Sequence, residues 1–363
     1  MAYVHDFDPF ALQFTWQPLV NLFGSDFGIR WYGLAYLSGF LCTYFVVHWM
    51  AKRRLVDIKP ENVGDFITVA AIGTMVGGRL GYCLFYAPDL LTSFSSSFPF
   101  WGVLEVHKGG MSSHGGILGV IAACFWYGKR QRISKLQLVD FAGLMGGAGI
   151  FFGRLANYIN GELFGRVCDE GYIWAVKFPS EVYHWAGYEV QKLKSLSSVL
   201  GSLSTYKNLP ANLTKENWEA WVDRYQYAGP ARSNIQSVLS QIQIAVQEGN
   251  ESVKEALSHV LNPRYPSQIY QALMEGLLVF VISFLFWKKP RKPGFITGVF
   301  GVSYSLMRIL GEQYRMPDAH IGYQLFGLTR GQWLSFGLLG LGLVILLVAV
   351  KSTSKTCGGW GKR

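Results

Sequence analysis

The sequence predicts an all-α polytopic membrane protein, a bundle of seven transmembrane helices. Of its 363 residues, 50% are hydrophobic and only 15% are charged, whereas soluble domains carry about 25% charged residues. The apolar residues form long blocks instead of alternating with polar ones. The net charge of +10 does not indicate nucleic-acid binding, because the positive residues lie in small clusters between these blocks.

Seven segments are candidates for crossing a bilayer, which takes about 20 mostly apolar residues. The third and sixth segments are short, but the pattern of charges between the segments supports all seven. The predicted spans are roughly 31–50, 63–86, 112–128, 136–155, 267–287, 294–311 and 332–350.

Lysine and arginine predict the orientation, because positive residues concentrate in cytoplasmic connections. Every second connection carries four of them, and the connections on the other side carry few. We therefore expect the N-terminus outside and the C-terminus in the cytoplasm. The clusters are Lys52, Arg53, Arg54 and Lys59; Lys129, Arg130, Arg132 and Lys135; Lys288, Lys289, Arg291 and Lys292; and Lys351, Lys355, Lys362 and Arg363, against Arg30, Lys108, Arg315 and Arg330 on the outer side.

The predicted domains follow from this topology. Residues 1–165 hold spans one to four, and 267–363 hold spans five to seven with a cytoplasmic tail. The mixed composition of 166–266 predicts an extracytoplasmic cap, in which "SNIQSVLSQIQIAVQEGNESVKEALSHV" has the spacing of one solvated helix. We find no internal repeat of the kind that marks inverted-repeat transporters.

The cysteines and the N-terminus carry no further signal. Cys42, Cys83, Cys124, Cys168 and Cys357 have neither paired nor metal-like spacing. We therefore predict no disulfide, no metal site and no cofactor. The opening "MAYVHDFDPF" lacks a basic start followed by an apolar core, so no signal peptide is expected.

The few polar side chains of the spans gather near the predicted outer ends. Because ionisable groups inside a membrane are costly, such a cluster is a candidate functional site. Its members are Tyr32, Arg79, His114, Arg154, Tyr304, Arg308 and Glu312, with Ser267, Gln268, Tyr270 and Gln332 at the starts of the fifth and seventh spans.

Structural alternatives stay open for most of these residues. The alternatives are an interfacial arginine for Arg79, neutralisation of Arg308 by Glu312, belt tyrosines for Tyr32, Tyr270 and Tyr304, a structural histidine for His114, and helix-end hydrogen bonds for Asn157 and Asn160.

Arg154 lies in "GRLANYINGELFG", residues 153–165, at the end of an almost wholly apolar segment. The cluster holds several arginines and few acids. An excess of arginine suits a phosphate, whose oxygens a guanidinium group binds in pairs. A phospholipid headgroup is the phosphate present at that depth.

The motif "GRLANYINGELFGR" resembles the signature of the bacterial prolipoprotein diacylglyceryl transferases. The segments "IRWYGLAY", "GGRLGY", "HGGILG", "YPSQIYQALMEG", "YSLMRILGEQYRMPD" and "GLTRGQWLS" are similar to other blocks of that family, in its order. The resemblance covers about 31–178 and 265–350.

The resemblance implies an enzyme of the bacterial cytoplasmic (inner) membrane with its active site on the extracytoplasmic side. Such an enzyme transfers the diacylglyceryl group of phosphatidylglycerol to the lipobox cysteine thiol of a preprolipoprotein. A thioether forms and glycerol phosphate leaves. The expected partners are therefore phosphatidylglycerol and preprolipoproteins, and not nucleic acid.

The resemblance also implies roles for individual residues. The expected catalytic residues are His114, Arg308 and Tyr304. The expected phosphatidylglycerol-binding residues are Arg154, Arg79, Asn157, Asn160, Glu162, Gly165, Tyr32, Glu312 and Arg315.

Our hypothesis is that His114 deprotonates the substrate thiol, while Arg154 and Arg308 hold the phosphate. In an alternative, Arg308 activates the thiol electrostatically, and His114 is a structural or phosphate contact.

The sequence departs from the family pattern at Ala156, where glycine is usual, at Tyr265, where histidine is commoner, and at Gln271, which replaces a frequent glutamate. The stretch of about 180–263 is longer than expected. Two other functions stay open: a phospholipid or organic-anion transporter, and a phospholipid-binding membrane protein without catalysis.

Overall fold

The computed structural model describes residues 2–14, 16, 28–96, 99–106, 109–317 and 322–360. It is mostly helical, and each of the seven predicted spans is a helix whose ends lie within a few residues of the prediction. The helices are α1 Trp31–Lys52, α2 Val63–Phe85, α3 Ser113–Gln131, α4 Lys135–Ile159, α5 Glu181–Tyr188, α6 Lys215–Arg224, α7 Gly229–Gln247, α8 Glu251–Ser258, α9 Ser267–Gln271, α10 Val279–Trp287, α11 Phe295–Gly311 and α12 Arg330–Lys351.

Five helical stretches of the described chain are long and apolar enough to cross a membrane, which makes this a multi-pass membrane protein. Helix α11 is apolar but has only 17 residues, and the 19-residue α3 is not among the five. The stretches are Trp31–Lys52, Pro60–Phe85, Lys135–Ile159, Ser267–Trp287 and Arg330–Lys351.

The fifth predicted span is not a uniform α-helix. Between α9 and α10, residues Ala272–Leu278 form a π-helical segment. Such segments are rare, and they occur frequently at functional sites. The segment contains Glu275, the only acidic residue of Ser267–Trp287.

The chain divides into two compact units. The first comprises the described residues of Met1–Ala35, Gly153–Leu273 and Ile309–Trp333. The second comprises Tyr36–Phe152, Met274–Arg308 and Leu334–Arg363.

In the second unit, glycines let α2 and α3 pack with their backbones in contact. A Cβ atom at Gly77 would lie 2.4 Å from the carbonyl oxygen of Gly115, and one at Gly119 would lie 2.0 Å from that of Gly73. Side chains larger than hydrogen are excluded there. Glycines at four-residue intervals allow such close approach of helices.

Helix α11 of the second unit begins at a buried carboxylate. Asp140 of α4 accepts hydrogen bonds from the backbone N–H groups of Gly294 and Thr297, both at 2.8 Å, and from the Thr297 hydroxyl at 2.7 Å. These bonds satisfy N–H groups that the first turn of a helix leaves without partners.

The first unit contains the 166–266 segment, which has a hydrophobic core of its own. Helices α5 to α8 bury this core, and Trp185 and Trp218 are its largest side chains. Four short strands belong to the same unit. Strand β1 (Tyr3–Val4) pairs with β4 (Val176–Lys177) in parallel, and β2 (Phe10–Gln13) pairs with β3 (Gly28–Arg30) antiparallel.

The single solvated helix expected at the end of this segment is instead two helices, α7 and α8. Gly249 adopts φ +78° after the first of them, a conformation that favours glycine. The side chain of Asn250 then caps α8 by accepting from the Val253 N–H at 3.2 Å. Helix α7 buries one apolar face against the core, so it is amphipathic.

Candidate functional site

The predicted signature at 153–165 forms the end of α4 and the turn that follows it, in the first unit. Arg154 is half-buried, and Asn157 lies one helical turn further on, so both side chains share a helix face. Gly161 has φ +64° and Leu163 has φ +54°. Because L side chains seldom adopt such angles, the turn at Leu163 is strained.

Four of the predicted residues are connected by hydrogen bonds around this turn. The Tyr32 hydroxyl donates to Oε2 of Glu162 at 2.9 Å, and it accepts from the Asn157 amide. Asn160 donates to the other carboxylate oxygen of Glu162 at 3.4 Å. We call these four residues the tyrosine–asparagine cluster. Their hydrogen bonds fix the turn that follows α4.

Gly165 lies where three backbone segments meet. Its N–H donates to the carbonyl oxygen of Tyr265 at 3.2 Å, and the residue pairs with Arg315 as an antiparallel bridge. A Cβ atom at Gly165 would lie 2.3 Å from the Tyr265 oxygen and 2.8 Å from that of Tyr314. Only glycine fits this position, so Gly165 has a steric role.

Glu312 and Arg315 lie on the other side of this backbone junction. Glu312 is 2% exposed and accepts a hydrogen bond from the Thr329 hydroxyl at 3.0 Å. The guanidinium of Arg315 lies 3.9 Å from the same carboxylate oxygen. A Cβ atom at Gly331 would lie 2.8 Å from it, so the start of α12 packs directly on this carboxylate.

A buried ion pair connects the signature to the 166–266 segment. Arg264 donates from Nη2 and Nε to the two carboxylate oxygens of Glu181, at 2.6 and 2.9 Å. Its Nη1 donates to the carbonyl oxygen of Gly165 at 2.9 Å. The two side chains are 4% and 0% exposed. This pair was missed from the sequence, because 83 residues separate its members.

In the second unit, Arg308 forms a buried ion pair with Glu275. Arg308 Nη1 lies 3.1 Å from Glu275 Oε1, and the two side chains are 10% and 0% exposed. Glu275 is not among the residues predicted from the sequence. The signal was present, because it is an isolated acid in a long apolar span. Tyr304, one turn before Arg308, stacks on Phe300 with ring centroids 5.7 Å apart.

His114 lies at the start of α3, two residues after the capping residue Ser112, which accepts from the Gly115 N–H. The imidazole is exposed, and it makes no hydrogen bond or ion pair within the described part of the chain. A structural histidine would normally have such a partner when buried. This geometry leaves both ring nitrogens accessible.

Arg79 directs its guanidinium group at the backbone that follows α2. It is 6% exposed, and it donates to the carbonyl oxygens of Gly102, Val103, Gly109 and Gly110 at 2.6 to 3.0 Å. These four bonds hold the loop before α3. They favour a structural role for Arg79 over the phosphate contact that we predicted from the sequence.

The predicted residues are therefore distributed over both units. The first unit holds Tyr32, Arg154, Asn157, Asn160, Glu162, Gly165, Glu312 and Arg315, and the second holds Arg79, His114, Tyr304 and Arg308. Within the described residues, no cluster of three or more histidine, cysteine or acidic side chains has the arrangement of a metal site.

Comparison with known proteins identifies the family. The family model for prolipoprotein diacylglyceryl transferases matches residues 19–348. The chain is 47% identical to a phosphatidylglycerol–prolipoprotein diacylglyceryl transferase of Bdellovibrio bacteriovorus, over 98% of this chain and 97% of that protein. It is 32% identical to proteins with the same name from Idiomarina loihiensis, over 95% and 94% of the two chains, and from Neisseria meningitidis, over 87% and 90%. The chain belongs to the prolipoprotein diacylglyceryl transferase family.

Proposed function

We propose that this chain transfers the diacylglyceryl group of phosphatidylglycerol to the lipobox cysteine of preprolipoproteins. The observation that carries the proposal is the 47% identity over nearly the whole length to a protein named for this reaction. The sulfur of the cysteine forms a bond to C3 of the glycerol. The bond from that carbon to the phosphate oxygen breaks, and its electron pair leaves with glycerol phosphate.

The reaction needs a deprotonated thiol, because a free thiol is mostly protonated at neutral pH. We propose that His114 accepts the proton of the substrate thiol. The support is its exposed imidazole, which has no competing partner within the described residues. In the rival assignment Arg308 activates the thiol by its charge alone. The carboxylate of Glu275 at 3.1 Å weakens the field of that charge, which favours His114.

The leaving phosphate needs positive charge and aligned donors. We assign this role first to Arg154. It stands on the same helix face as Asn157, beside the tyrosine–asparagine cluster, whose hydrogen bonds fix the turn after it. Arg308 and Arg315 are further phosphate ligands in this proposal, and Tyr304 lies one helical turn from Arg308. Arg79 has the weakest support, because its donors are directed at carbonyl oxygens.

We also propose that the protein crosses the bacterial cytoplasmic membrane seven times, with the N-terminus and residues 166–266 outside. The support is the placement of positive residues in alternate connections and the helical structure of all seven segments. Cysteine labelling should therefore place 129–135 and 288–293 inside. Labelling of 129–135 from the outside would contradict this topology.

The direct test uses purified full-length protein, phosphatidylglycerol vesicles and a peptide with a lipobox cysteine. The expected result is a mass gain on the cysteine equal to one diacylglyceryl group, with release of glycerol phosphate. Lipid binding without a mass gain would indicate a non-catalytic binding protein. Movement of lipid between leaflets without a mass gain would indicate a transporter.

A further inference from the structure

The loop formed by residues 167–176 lies outside the candidate site and has a fixed shape. Its first and last residues, Val167 and Val176, both pair with Arg264 as antiparallel bridges. Because Arg264 is buried in an ion pair, these contacts close the loop at its base. We call this segment the tip loop.

Two large apolar side chains project from the tip loop. Ile173 is 88% exposed and Trp174 is 55% exposed, and the described part of the chain does not cover them. The backbone around them is ordered by hydrogen bonds, since the Ala175 N–H donates to the Tyr172 carbonyl oxygen at 3.0 Å. Adjacent exposed apolar side chains on a well-formed loop commonly mark an interaction surface.

A pair of tyrosines places the tip loop beside the end of a membrane span. The hydroxyl groups of Tyr172 and Tyr270 are 2.6 Å apart, and the Tyr172 ring packs edge-on against Tyr265. Tyr270 lies in the first turn of Ser267–Trp287, one of the helical stretches able to cross a membrane. Leu273, three residues further along, is 45% exposed on that helix.

The charges of the tip loop are satisfied within the loop and its base. The Asp169 carboxylate accepts from the Gly171 N–H at 2.8 Å, and Glu170 pairs with Lys177 at 2.6 Å. Lys177 also lowers the pKa of Glu170 by a direct hydrogen bond, so this pair remains ionised. Lys177 therefore offsets the charge of Glu170, so this acid adds little repulsion toward anionic headgroups.

We propose that Ile173 and Trp174 anchor the 166–266 segment to the lipid–water interface of the bilayer. Tryptophan is enriched at that level because its ring is apolar and its N–H is polar. The tyrosine pair places the tip loop beside the first turn of this span, on which Leu273 is also exposed, and this position commits the tip to lipid. The proposal rests on the membrane embedding of Ser267–Trp287 and not on the proposed transfer reaction.

The test uses the full-length chain with its five cysteines replaced by serine and with Ile173→Cys labelled by a fluorophore that reports polarity. The protein is reconstituted in vesicles of phosphatidylcholine and phosphatidylglycerol. The matched control is Tyr227→Cys, at a residue that is also 88% exposed but lies between α6 and α7. We expect blue-shifted emission at position 173, quenched by spin-labelled lipid and not by iodide, and the reverse at position 227.

Three results would overturn the proposal. Equal iodide quenching at both positions would place the tip in water. A shift that occurs only after addition of a lipobox peptide would assign the surface to that peptide. A shift that grows with protein concentration at constant lipid would assign it to a second copy of the chain. Trp174→Cys serves as a second labelling position if the Ile173 variant fails to fold.

Discussion

Arg308 and Glu275 form a buried ion pair between two different helices of the second unit, with Nη1 and Oε1 3.1 Å apart. Glu275 belongs to the π-helical segment Ala272–Leu278. A buried charge needs a partner, because transfer out of water costs several kcal/mol per ion. Glu275 therefore balances an arginine to which we assign a role in the reaction.

Glu275→Gln should destabilise the protein, because it keeps the shape of the side chain and removes the charge that balances Arg308. Loss of one partner of a buried pair typically costs about 3–5 kcal/mol. Thermal unfolding in detergent should show a clearly lower Tm. Asp223→Asn, at the exposed pair with Lys194, is the control and should unfold at the wild-type temperature. An unchanged Tm for Glu275→Gln would contradict the pairing.

Gly165→Ala should damage both stability and activity. The added Cβ atom would lie 2.3 Å from the carbonyl oxygen of Tyr265, so the backbone junction must move. Forced overpacking typically costs about 1–3 kcal/mol. The control is Gly187→Ala, because a Cβ atom there meets nothing within 4 Å. Denaturant unfolding and turnover measurements should show lower stability and activity for Gly165→Ala than for Gly187→Ala. Equal stability and activity of the two variants would refute the steric role of Gly165.

The burial of His5 in the first unit predicts that the stability of the protein depends on pH. Burial lowers the pKa of this histidine from its ordinary value of 6.5 to about 4. Between pH 6.5 and about 4, the unfolded chain therefore binds a proton at this histidine, whereas the folded chain leaves it neutral. The neutral histidine contributes its full stability above pH 6.5, and this contribution is lost as the pH falls from 6.5 toward 4.

The size of this effect follows from the pKa change, which at about 1.4 kcal/mol per pKa unit corresponds to about 3 kcal/mol. Unfolding measured between pH 7.5 and 4.5 should show a smaller loss of stability for His5→Gln than for the wild type. The control is His259→Gln, at an exposed histidine, and it should keep the wild-type slope. Parallel profiles for His5→Gln and the wild type would exclude the assignment.

Much of the helical structure could be predicted from the sequence, because long apolar blocks predict membrane helices directly. For example, the span predicted at 63–86 is the helix Val63–Phe85 in the structure. What could not be predicted depends on tertiary contacts. The break between α7 and α8 is set by one glycine in the left-handed region, and the pairing of Arg264 with Glu181 joins distant segments.

The candidate site was predicted in part. The hydrogen bonds among Tyr32, Asn157 and Glu162 connect residues that the sequence had grouped. The partners of Arg79 could not be predicted, because an arginine near a helix end has the same sequence signal whether it binds phosphate or backbone carbonyl groups. Only the positions of Gly102 and Val103 show which partners it meets.

His114→Gln should reduce turnover at neutral pH by about 10²–10⁴, the usual cost of losing a general base. Glutamine keeps a similar size and a hydrogen bond but cannot accept the thiol proton. The rate should recover in part at high pH, where the substrate thiol ionises without help. His259→Gln should retain wild-type turnover. A rate for His114→Gln within a few-fold of wild type would transfer thiol activation to Arg308.

Arg154→Lys separates geometry from charge at the proposed phosphate contact. Lysine keeps the positive charge but lacks the planar guanidinium group that binds two phosphate oxygens at once. If Arg154 binds phosphate in this way, Arg154→Lys should lose about 10- to 100-fold in phosphatidylglycerol affinity or turnover, since a hydrogen bond to a charged group contributes about 1.5–3 kcal/mol. Arg154→Ala should lose little more.

The measurement must report lipid affinity and turnover separately, on protein whose fold has been verified. Loss of turnover with unchanged affinity would mean that the contact strengthens as the phosphate leaves. Arg224→Lys, at an exposed arginine of α6, is the matched control and should behave as wild type. If Arg154→Lys also kept wild-type lipid affinity and turnover, Arg154 would serve only to balance charge near Glu162. The proposed phosphate contact would then pass to Arg308, whose own lysine variant should show the loss.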